Sequence, residues 1–87
     1  SWSRQVVMAA RLSGWKLVHH WLSIHSEAGW PDLFLARPPR AIAAELKRDG
    51  GNPTPAQQSW LDTLAACGIE SYCWRPADWS HVREVLA

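Results

Sequence analysis

The run Pro31-Asp32-Leu33-Phe34-Leu35-Ala36-Arg37-Pro38-Pro39-Arg40-Ala41-Ile42-Ala43-Ala44-Glu45-Leu46-Lys47 reads as two apolar strands folded about a proline turn. The outgoing strand is Pro31 to Ala36 and the returning strand is Ala41 to Lys47. Side chains alternate along a strand, so Glu45 and Lys47 face one way while Leu46 faces the core. In a hairpin centred between Pro38 and Pro39, residues whose numbers sum to 77 lie opposite each other, and Asp32 and Glu45 are such a pair. Cross-strand Cβ atoms lie about 4.5–5.5 Å apart, close enough for two carboxylates to share one cation. Two prolines cannot supply the positive φ angles of a tight two-residue turn, which predicts a longer loop and leaves the register open. A slip of one residue would separate the acids onto opposite faces.

The flanks supply the remaining elements. Trp2 to Ser13 carries apolar residues at helical spacing, and Gly14 follows where a left-handed cap belongs. Trp15 to His20 reads as a strand, and Trp21 to Gly29 as irregular chain. Asp49-Gly50-Gly51-Asn52-Pro53, rich in turn formers, predicts a flexible loop. Thr54-Pro55-Ala56-Gln57 opens a helix: Thr54 is the N-cap, Pro55 takes the first helical position and Gln57 completes a capping box. That helix, with Trp60, Leu61, Leu64 and Ala65 as its apolar face, runs to a stop at Gly68. Ile69 to Trp74 is a strand, and a closing helix spans about Asp78 to Leu86. The expected fold is α/β: a small mixed sheet flanked by helices in the order α-β-β-β-α-β-α.

The 87 residues form a single domain, residues 1–87, near the lower limit for a fold held by core packing alone. Seven tryptophans among 47% apolar residues let a small core bury much area per side chain. No apolar run is long enough to span a membrane, and the start lacks a basic-then-apolar signal, so a cytoplasmic location is expected. Cys67 and Cys73 are too few for a disulfide framework and read as two buried free thiols. A net charge of +1 means that any nucleic-acid contact must come from locally gathered basic residues.

Two carboxylates held together repel, and a buried lysine is costly alone. A hard divalent cation, Mg²⁺ or Mn²⁺, resolves both by accepting carboxylate and carbonyl oxygens together with a phosphate oxygen. Lys47 would then orient water or stabilise phosphate charge. A plain surface salt bridge between Lys47 and either acid is the alternative.

Gly29-Trp30-Pro31-Asp32-Leu33, Ala44-Glu45-Leu46-Lys47 and Thr54-Pro55-Ala56-Gln57-Gln58-Ser59-Trp60-Leu61 resemble the VRR-NUC family of the PD-(D/E)XK nuclease superfamily. The likeness extends to Ser13-Gly14-Trp15, Val18-His19-His20, Gly68-Ile69 and Trp74-Arg75-Pro76-Ala77-Asp78. It implies a restriction-endonuclease-like core in a stand-alone, virus-type member that cuts branched DNA, including four-way junctions, as a homodimer. Carried over by position, Asp32, Glu45 and the Leu46 carbonyl would hold Mg²⁺ or Mn²⁺, Lys47 would be the catalytic lysine, and Gln57 would open the helix beside the site. Family members carry a further glutamate in the first helix; its position here falls at about Ser1 or just before, where this chain has no acid. A catalytically silent DNA-binding or protein-interaction module is the rival reading.

His19, Ser26, Arg48, Arg37 and Arg40 are the DNA-contact candidates, with Lys16 and Arg75 as further phosphate contacts. His19 is the better match to the family's histidine, although His20 also ends the strand. Ser23, His25 and Ser26 lie on the approach to Asp32, Trp30 is expected to pack beneath the site, and Trp21 is a candidate for stacking on a base. Contacts of these kinds read DNA shape and phosphates rather than base sequence.

Overall fold

A computed structural model of the chain describes residues 1–20 and 27–87. Helix α1 (Trp2–Leu12) is followed by strands β1 (Lys16–His19), β2 (Leu33–Arg37) and β3 (Arg40–Leu46). Helix α2 (Pro55–Ala66), strand β4 (Glu70–Trp74) and helix α3 (Trp79–Leu86) complete the chain. The sheet order is β1-β2-β3-β4, with β1, β2 and β3 antiparallel and β4 parallel to β3. The observed order is the α-β-β-β-α-β-α of the sequence reading. The parallel pair requires a crossover, which α2 provides.

Turn chemistry sets the hairpin differently from the expected long loop. Pro38 and Pro39 alone connect the strands, through a cis peptide bond, and Arg37 pairs directly with Arg40. The pairs Leu33–Ala44, Phe34–Ala43 and Leu35–Ile42 all sum to 77, so the two-residue turn carries the register that brings Asp32 opposite Glu45.

The two faces of the sheet bury different material. On one, Leu33, Leu35, Ile42, Ala44 and Trp74 meet Val6, Val7 and Ala10 of α1, Val82 and Leu86 of α3, and Trp15. The Trp15 indole donates to the Leu86 carbonyl (2.9 Å). Ala43 on the other face is fully buried, and Leu61 and Leu64 are largely buried on α2, which packs against β3 and β4. Fully burying a side chain of this size contributes about 1.5–3 kcal/mol, which makes these layers the main source of stability.

Helix ends follow their sequence signals. Gly14 and Gly68 stand at φ +85° and +87° just beyond α1 and α2. The Thr54 hydroxyl accepts from the Gln57 amide (3.2 Å) while the Gln57 side chain accepts from the Thr54 amide (2.8 Å), closing the capping box. The glycine-rich loop, expected to be flexible, is tied down. Arg75 donates to the Gly51 carbonyl (2.7 Å) and to Asn52 (3.1 Å), and Asp49 accepts from the Ala77 amide (2.9 Å). The thiols also depart from expectation: Cys67 is exposed beyond α2 and Cys73 is half-buried. No helix among the described residues is long and apolar enough to cross a membrane.

Candidate active site at the open end of the hairpin

Alternation from the Phe34–Ala43 pair puts Asp32, Glu45 and Lys47 on the α2 face, at the end of the hairpin away from its turn. Asp32 is fixed by its neighbour strand: its Oδ2 accepts from the Leu46 amide (2.9 Å), and its carbonyl accepts from the His20 amide (2.9 Å). In a strand, a residue's carbonyl leaves the backbone on the same edge as its amide, so the Leu46 carbonyl also points toward the Asp32 side. Glu45 is 2% exposed, and Lys47 Nζ lies 3.7 Å from its Oε1.

The electrostatics of Glu45 are unusual. Its Oε2 is buried with no hydrogen-bond donor, and its near neighbour is the Asp32 carboxyl, another acceptor. Burial first, then the Asp32 carboxyl, push its pKa up to about 8, and the Lys47 ammonium offsets only part of that rise. The group therefore calls for a proton or a cation. Two carboxylates and a carbonyl form an oxygen donor set of the kind that suits a hard divalent ion, and the buried Oε2 leaves that set unsatisfied without one. No group of three or more His, Cys, Asp or Glu side chains suited to holding a metal occurs among the described residues. A cavity of about 670 Å³ lies between α1 and α3, lined by Ala9, Leu12, Trp79 and Arg83, away from the acids.

The segment leading into Asp32 is shaped by α2. Gly29, at φ +84°, presses against the first turn: a Cβ there would lie 2.5 Å from the Ala56 carbonyl carbon and 2.8 Å from the Gln57 nitrogen. Trp60 donates to the Ala28 carbonyl (3.2 Å) and meets Trp30 edge-on (4.9 Å), while Trp30 stacks on Phe34 (6.0 Å). Trp30 thus packs among Phe34, Trp60 and His20. Gly29→Ala is expected to cost about 3 kcal/mol, from left-handed strain and overpacking together. Urea denaturation would measure it; an unchanged midpoint would contradict the close approach.

The remaining sequence candidates separate. His19 pairs with Leu33 and so lies on the α1–α3 face; burial lowers its pKa, opposed by the nearby Asp32 charge. His20, opposite Asp32, belongs to the acid face and meets Trp30 edge-on (6.5 Å). Gln57 is engaged in the capping box. Arg48 is exposed just beyond Lys47.

Arg37 and Arg40 sit at the turn, about 17 Å along the strand from the acids. Arg37 donates to the Ser13 (2.8 Å), Leu86 (3.2 Å) and Ala87 (3.0 Å) carbonyls. Arg40 donates to both Glu70 oxygens (2.7 and 2.8 Å) and to the Val85 carbonyl (3.0 Å). Both guanidinium groups lie over the Trp15 ring, at 4.4 and 5.0 Å. The hydrogen bonds of these two arginines hold the C-terminal helix against the hairpin turn. Arg75 is likewise spent on the glycine loop. Ser23, His25, Ser26 and Trp21 lie outside the described residues.

Sequence reasoning missed Cys73, which the parallel register places beside Glu45. Its thiol is pushed upward mainly by burial, so it is a quiet neighbour. The parallel pairing of β3 with β4 was the signal needed, and spacing alone does not contain it. Comparison with protein-family models, with curated proteins and with solved structures finds no match.

Proposed function

We propose that the chain is a Mg²⁺- or Mn²⁺-dependent endonuclease of the VRR-NUC kind within the PD-(D/E)XK superfamily. On this reading it hydrolyses phosphodiester bonds in branched DNA such as four-way junctions, working as a homodimer in the cytoplasm. One observation carries the reading: the buried Glu45 carboxyl has an oxygen without a donor beside a second carboxyl, with a lysine 3.7 Å away. A scaffold acid held by an ordinary salt bridge has no reason to be buried against another acid.

Asp32, Glu45 and the Leu46 carbonyl would hold the ion, which when bound supplies charge neutralisation at the phosphate and a more acidic water. Lys47 holds that water or a phosphate oxygen. Arg48, exposed next along the chain, meets a flanking phosphate. Gln57 keeps the first turn of α2 closed against Gly29. Trp2 donates to the Trp74 carbonyl (3.0 Å), which also accepts from the Lys47 amide (3.0 Å), so α1 begins at the acid end of the sheet.

One rival is a module that binds DNA or a protein without cutting, since no group of three or more His, Cys, Asp or Glu side chains suited to a metal occurs among the described residues. Incubation with Mn²⁺ and labelled junction, flap and linear DNA separates the two. The nuclease reading expects cleavage that falls at least about a hundredfold in Asp32→Ala and Lys47→Ala. Cleavage unchanged in both variants would contradict these roles, and binding without any cleavage would favour the rival.

A further inference from the structure

Lys47 stands just past the last residue of β3, on a flexible four-carbon stem. Its Nζ lies 3.7 Å from Glu45 Oε1, longer than a strong charge-assisted hydrogen bond of about 2.7–2.9 Å, so that pair restrains the stem only weakly. The side chain is nevertheless only 22% exposed. Part of its cover is the glycine loop. A Cβ on Gly51 would stand 3.4 Å from Lys47 Cβ and 3.1 Å from the Arg48 carbonyl oxygen, which already accepts from the Gly51 amide (2.9 Å). Two ties fasten this loop to the chain leaving β4. Arg75 donates through Nε to the Gly51 carbonyl (2.7 Å) and through Nη2 to Asn52 (3.1 Å), and Asp49 accepts from the Ala77 amide (2.9 Å). Arg75 is set in turn by its own amide, which donates to Asp78 (2.9 Å). The β3–β4 register, carried one step further by the Lys47 amide on the Trp74 carbonyl (3.0 Å), brings Arg75 beside Lys47.

We infer that Arg75 is a positioning residue for Lys47: by holding Gly51 against the lysine stem, it fixes where the ammonium stands relative to Asp32 and Glu45. The inference rests on the nuclease reading for what Lys47 does from that place. Where the tie falls is the decisive feature. A Cβ on Gly50 would meet nothing within 4 Å, whereas Gly51 touches both Lys47 and Arg48, and it is the Gly51 carbonyl that Arg75 grips. The loop is thus held at its point of contact with the lysine rather than at its tip. Misplacing a reacting group by about 1 Å can cost about a hundredfold in rate, so a tie of this kind bears directly on turnover.

Arg75→Met keeps the apolar stem and removes the donors. Labelling with acetic anhydride, read by mass spectrometry, reports on Lys47 without needing cleavage, and Lys16, the chain's other lysine, serves as the internal reference. Lys47 should label several-fold faster in Arg75→Met and in Asp49→Ala. Asp49→Asn, whose amide oxygen still accepts from Ala77, should label as wild type does. Junction cleavage in Mn²⁺ should lose about tenfold or more in kcat in the two loosened variants, with KM and the calorimetric Mn²⁺ affinity unchanged. Asp49→Asn should cut at the wild-type rate. Wild-type labelling of Lys47 in both loosened variants would overturn the inference. So would faster labelling with an unchanged kcat, or loss of Mn²⁺ binding, which would make Arg75 a support for the whole site rather than for the lysine. Absence of cleavage by the wild type alongside Arg75-dependent labelling would refute the nuclease reading while supporting the tie to Lys47.

Discussion

Glu45→Gln is expected to stabilise the cation-free protein at pH 9 while abolishing cleavage. Glu45 titrates near 4.5 when unfolded and at about 8 in the fold, because burial and Asp32 disfavour its charge. The folded state therefore holds a proton that the unfolded state releases between these values. The contribution of the neutral carboxyl is fully present below pH 4.5 and is lost as pH rises through 8. The total is on the order of 5 kcal/mol at most, a large fraction of the 5–15 kcal/mol that holds a typical domain together. Glutamine is neutral at every pH and its amide can donate to Asp32, so the variant escapes this loss. Near pH 4.5 the two proteins should unfold at similar denaturant concentrations, and at pH 9 the variant should be the more resistant. A difference independent of pH would show that Glu45 does not titrate against Asp32. The cost is functional: an amide cannot supply the anionic oxygen a divalent ion prefers, so cleavage should fall with it.

The second large effect concerns the ion itself. Mn²⁺ at a hundred times its dissociation constant is expected to add about 2.7 kcal/mol to stability. At one fixed Mn²⁺ concentration the gain should be larger at pH 9 than at pH 6, because below pH 8 the ion must displace the proton on Glu45. Arginines at the far end of the hairpin should play no part in it, since their donors are already taken by Glu70 and by carbonyls.

The hairpin was the most legible part of the chain. Alternation put Glu45 and Lys47 together, and centring the turn on Pro38–Pro39 put Asp32 opposite, although proline chemistry argued for a longer loop. The capped start of α2 was equally plain, because Thr54, Pro55 and Gln57 act within one turn of the chain. What escaped depends on contacts between distant segments. Arg37 and Arg40 look like free cations until α3 brings its carbonyls to them. The choice between His19 and His20 requires the β1–β2 register, which a long connection leaves undetermined. Gly29 reads as the end of an irregular stretch, and only the packed α2 reveals that Ala56 leaves no room for a Cβ. The glycine loop was misjudged for the same reason, since its anchors Arg75 and Ala77 lie about 25 residues downstream.

The central claim is that Asp32 and Glu45 together form one cation site. Calorimetric titration of Mn²⁺ into wild type, Asp32→Asn and Glu45→Gln at pH 8.5 tests it most directly. The account predicts one saturable site per chain in the wild type, with proton release, and loss of that site in each single variant. Binding that survives in both variants, or no saturable binding in the wild type, would contradict it.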